Sequence, residues 1–75
     1  MLLNQMTIKN NRAEIVSFSG PNDLVERLQE FGLRIGLEVT YVGRAPFAGP
    51  FLFRVGGMVL ALRQEEAACT QITLI

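Results

Sequence analysis

The chain has 75 residues, with seven basic side chains balancing seven acidic ones, a 49% hydrophobic content, one cysteine and no histidine. A length of this order supports one small domain and leaves no room for a large internal active-site cavity, while so apolar a composition argues against lasting disorder. Neutrality, with the arginines spread along the chain, argues against a nucleic-acid partner, whose phosphates demand a clustered positive surface.

Residues 1–12 turn polar toward their end (Lys9, Asn10, Asn11, Arg12) and read as a tail or a short edge segment outside the domain proper, which spans 13–75. Their composition is not that of a signal peptide, and no apolar run approaches the length of a bilayer span, so direct membrane insertion is not expected. The single Cys69 has no partner for an internal disulfide, which fits a reducing, cytoplasmic setting.

AEIVSFS, Ala13 to Ser19, is rich in branched and aromatic residues and predicts a strand that Gly20 and Pro21 stop. NDLVERLQEFG then predicts an amphipathic helix: Leu24, Leu28 and Phe31 fall on one face, widened by Val25, and the charged residues fall on the other. Asn22 is the expected N-cap, and Gly32 suits a left-handed C-terminal residue.

LEVTYVGR alternates as a half-buried strand, with Leu37, Val39 and Tyr41 inward and Glu38, Thr40 and Arg44 outward. FLFRV repeats the pattern with Phe51, Phe53 and Val55. Gly56-Gly57 reads as a two-residue hairpin turn, and the return strand MVLAL turns Met58, Leu60 and Leu62 inward. RQEEAAC is a short helical turn before the last strand, TQITLI. The expected class is therefore mainly β: a small, curled antiparallel barrel of about five strands, with one helix in its N-terminal half closing an end.

Catalytic chemistry is hard to assemble from these residues. Without histidine the commonest general base and the commonest metal ligand are both missing, and one cysteine makes no zinc site. Glu65 and Glu66 are adjacent on the helical turn, so their side chains diverge and read as solvated charge. No enzyme activity, cofactor or tight metal site is expected.

The segment GRAPFAGPF lacks the lysine, the glycine spacing and the following helix of a phosphate-binding loop. Two readings remain. Its prolines and glycine shape a strand connection, or Arg44, Pro46 and Phe47 form a stiff partner-binding surface, with Phe47 offering apolar area at small entropic cost. For Phe47 itself the alternative to an exposed contact is a side chain folded inward as core.

Three motifs in order resemble the ferrous iron transport protein A family, FeoA. Phe31, Gly32, Leu33 and Gly36 match the family's helix end and strand opening. Arg44, Ala45, Pro46, Gly49 and Pro50 match its loop, and Gly57, Leu60, Ala61, Leu62, Arg63, Glu66 and Ala67 match the segment that follows. The resemblance covers about residues 13–75, with Phe31 standing where leucine is usual. It implies an SH3-like barrel and an accessory protein of bacterial ferrous iron uptake, docking on the cytosolic GTP-binding domain of a membrane permease of the FeoB type. A similar barrel ends the iron-dependent repressors, but the helix-turn-helix domain of those chains has no counterpart here. A small metal-binding or metal-sensing domain is the alternative function, and self-association stays open.

Overall fold

Every expected strand forms, each paired edge to edge through its backbone while its apolar face joins one core. In this computed structural model, which describes residues 1–75, a 3-10 turn at Leu3–Gln5 precedes β1 (Arg12–Phe18), α1 (Asn22–Glu30) and β2 (Glu38–Arg44). There follow β3 (Phe51–Val55), β4 (Met58–Leu62), α2 (Gln64–Ala67) and β5 (Thr70–Leu74). The strands make one antiparallel sheet in the order β4-β3-β2-β1-β5. The sheet curls around a single core, giving near-equal extents of 29, 28 and 24 Å. Phe53, Ile15, Val39 and Leu62 are fully enclosed in that core, with Leu28 of α1 packed beside them.

The exit of α1 is built as its sequence suggests. Gly32 takes φ +97° and donates to the Gln29 carbonyl, and the Leu33 N–H reaches back to the Leu28 carbonyl. These paired bonds satisfy the helix's last free carbonyls and bring Leu28 and Leu33 into the core together. Its entry differs from expectation. Pro21 sits at the N-cap, and its carbonyl accepts from the Leu24 and Val25 N–H groups, while Asn22 is the first helical residue and its side chain caps nothing. Phe31, at the C-terminal flank of the helix, keeps 36% exposure rather than closing the core.

Two bulges interrupt the period of two. In β1 the register shifts between Ile15 and Ser17, and in β2 between Tyr41 and Gly43. One extra residue reverses every later side chain. Past Val42, therefore, Arg44 lies opposite Phe51 on the core-facing side, not outward with Glu38 and Thr40.

Three other expectations change. Met58 has the inward phase of Leu62, but β4 is the last strand of the sheet and nothing lies beyond it, so Met58 is 54% exposed. Residues 1–12, set apart from the domain above, carry Leu3 and Met6 into the same core, while Leu2 bridges to Gln71. Glu66 is not solvated charge: it is buried, as described below.

Candidate functional site

The β2–β3 connection is held by its own residues. The Ala45 N–H donates to the Pro50 carbonyl at 2.9 Å, and the Gly49 N–H to the Ala45 carbonyl at 3.2 Å. Glycine is required at 49 because a Cβ there would lie 2.9 Å from the Ala45 Cβ and 3.1 Å from the Pro46 carbonyl oxygen. Arg44 then braces the turn. Its Nε donates to the Gly49 carbonyl at 2.8 Å, its Nη2 to the Ala48 carbonyl at 3.3 Å, and its guanidinium lies 4.3 Å from the centre of the Phe51 ring. The bulge at Val42 makes this brace, since without it Arg44 would point away from Phe51.

At the tip, Phe47 and Ala48 both take left-handed backbone angles, φ +62° and +55°. For residues with a Cβ this costs on the order of 1–2 kcal/mol each. Such strain persists only where the surroundings enforce it, and it concentrates at functional positions. Here it turns Phe47 entirely outward, to 101% exposure, with Pro46 also exposed beside it. Of the two alternatives for Phe47, the core position is thus excluded.

The three candidate residues consequently take different parts. Phe47 and Pro46 present apolar surface, and Arg44 shapes the loop that presents it. A cleft of about 300 Å³ adjoins the loop, walled by Arg44, Gly49 and Pro50 on one side and by Arg63, Gln64 and Glu65 of the α2 entry on the other.

The position of that second wall depends on Glu66, a residue that sequence reasoning assigned to solvent. Its Oε1 accepts from the Arg63 backbone N–H at 2.8 Å, and its Oε2 lies 3.8 Å from the Arg27 Nε of α1. A glutamate three residues past the N-cap is the signal of a capping box, obscured here because Arg63, not serine or threonine, holds the N-cap of α2. No group of three histidine, cysteine, aspartate or glutamate side chains comes together that could hold a metal ion. No helix is long and apolar enough to cross a membrane.

The FeoA domain family matches residues 1–73. Among solved structures, the FeoA of Stenotrophomonas maltophilia, a prokaryotic SH3 domain protein complexed with zinc, is 31% identical. Its TM-score is 0.81, over 97% of this chain and 89% of that one. The FeoA protein of Chlorobium tepidum is 27% identical with a TM-score of 0.86, covering 100% and 70% of the two chains. A FeoA-like protein from Clostridium acetobutylicum has the same fold at 23% identity, with a TM-score of 0.89 over 100% and 86%. No significant match was found among proteins of curated function.

Proposed function

The chain belongs to the FeoA family, which is associated with ferrous iron transport, and from that premise we propose that it is a cytoplasmic accessory protein that docks on the cytosolic GTP-binding domain of a FeoB-type permease. The docking surface is the Arg44–Pro50 loop. One observation carries this reading: a wholly exposed Phe47 held outward on strained backbone by an arginine brace. Isolated apolar residues on a surface are ordinary, but a turn that stores strain to expose one is not. Aromatic anchors and arginine are enriched at interfaces, and a loop already fixed in shape loses little entropy on binding.

The domain works by contact, without catalysis of its own. A pull-down with the permease's GTP-binding domain tests this. Wild type is retained, and Phe47→Ser is lost from the complex while keeping its melting temperature. Retention of Phe47→Ser at the wild-type level would place docking elsewhere.

A metal-binding or metal-sensing role is the second reading, favoured by the zinc complex of the Stenotrophomonas protein. Against it stands the donor set, since oxygen ligands without histidine or a thiolate pair hold Fe(II) or Zn(II) weakly. Calorimetry should detect no stoichiometric site of micromolar affinity for either ion. A site that tight would make metal sensing the better account.

A further inference from the structure

The two strands that end the sheet are treated differently. The outer edge of β5 is covered by the chain's own start: the Ile72 N–H donates to the Met1 carbonyl at 2.8 Å, and Leu2 bridges Gln71. The outer edge of β4 is covered by nothing, because its backbone partners all lie in β3. Open edges are normally protected by charge, proline or a bulge. Met58–Leu62 has no charge and no proline, and its register with β3 runs without a break.

In a two-residue hairpin the residues flanking the turn, Val55 and Met58, exchange hydrogen bonds with each other. By alternation Val59 and Ala61 then point their N–H and C=O groups away from β3. Val59 is 57% exposed and Ala61 is also exposed.

We propose that this edge is an interface between two copies of the chain, with β4 pairing antiparallel to β4 of the second copy about a two-fold axis through Leu60. That register sets Val59 opposite Ala61 of the other copy, Met58 opposite Leu62 and Arg63 opposite Gly57. The strand is self-complementary: it is uncharged, and the one flanking charge, Arg63, meets a glycine. The chain's net charge of zero adds no long-range repulsion. The second copy also covers Met58, which the edge position leaves bare. Because Leu62 pairs with Phe51 beside the Phe47 loop, antiparallel pairing places the two loops at opposite ends of the shared edge. Dimerisation and docking are therefore compatible, and neither depends on the other.

Sedimentation equilibrium of the full chain tests this. An interface of a few strand residues is small, so the expected dimer is weak and populated toward ~1 mM. The mass should rise with concentration from 8.3 kDa toward twice that. The double variant Val59→Lys, Ala61→Lys sets like charges opposite each other at both outward pairs and should weaken association at least ~10-fold. The double variant Val59→Lys, Ala61→Glu sets opposite charges there and should keep association, now sensitive to salt. Amide exchange of the wild type gives a reading that needs no variant: the Val59 and Ala61 amides should gain protection with concentration. A wild type that stays monomeric at every concentration, two double variants that associate alike, or amides whose protection ignores concentration would each overturn the proposal.

Discussion

Phe47 and Ala48 share one backbone conformation but take different parts in the loop. Phe47 supplies the contact surface, whereas Ala48 only carries strain. Ala48→Gly should therefore stabilise the domain by about 0.5–1 kcal/mol, the left-handed penalty relieved less the entropy a glycine adds to the unfolded chain. A thermal midpoint that rises, with partner binding retained, is the expected result, and a clear fall would show that the turn is not strained. Arg44 illustrates what sequence could and could not supply at this scale. Its residue type marked it for the site, but its role as a brace depends on the bulge at Val42, whose signals, two adjacent apolar residues at 41 and 42 and a glycine at 43 inside the strand, a strict period-two reading passes over. Phe47 was ambiguous for a plainer reason, since phenylalanine is as ordinary in a core as at an interface, and only the φ angles of the turn decide between them.

Helix ends show the same division among elements. The exit of α1 was legible because glycine followed by leucine has one economical use there, whereas its entry was misread because Asn22 is a better capping residue than Pro21 on preference alone. At α2 the cap runs through Glu66, and its removal separates two contributions. Glu66→Ala leaves the Arg63 N–H without its acceptor in a part-buried place and should cost about 1–2 kcal/mol. Glu66→Gln keeps an oxygen at that position and gives up only the attraction to Arg27, which is 3.8 Å away and well exposed, so its cost should be small. Urea denaturation of the pair checks this, and equal losses would mean that the ion pair, not the cap, holds α2 in place.

For the whole molecule, strand alternation and the two-glycine turn were enough to give a curled antiparallel sheet closed by one helix, because period-two burial has few other solutions in so short a chain. What alternation cannot report is where the sheet ends. Met58 and Leu60 follow the phase of Leu62, yet only Leu62 is enclosed, and Leu3 and Met6 fill the core from a segment with no strand pattern at all. Leu62→Ala should cost about 2–5 kcal/mol in denaturation, and Leu60→Ala distinctly less; the reverse order would contradict the packing described. Whether the strained loop projects Phe47 to meet the permease can be read from calorimetric titration of the permease's GTP-binding domain with wild type, Phe47→Ser and Ala48→Gly. Ala48→Gly should bind like wild type, and Phe47→Ser should lose at least ~30-fold in affinity, as for an interface anchor. Equal affinity of all three, each with its fold intact, would contradict this role for Phe47.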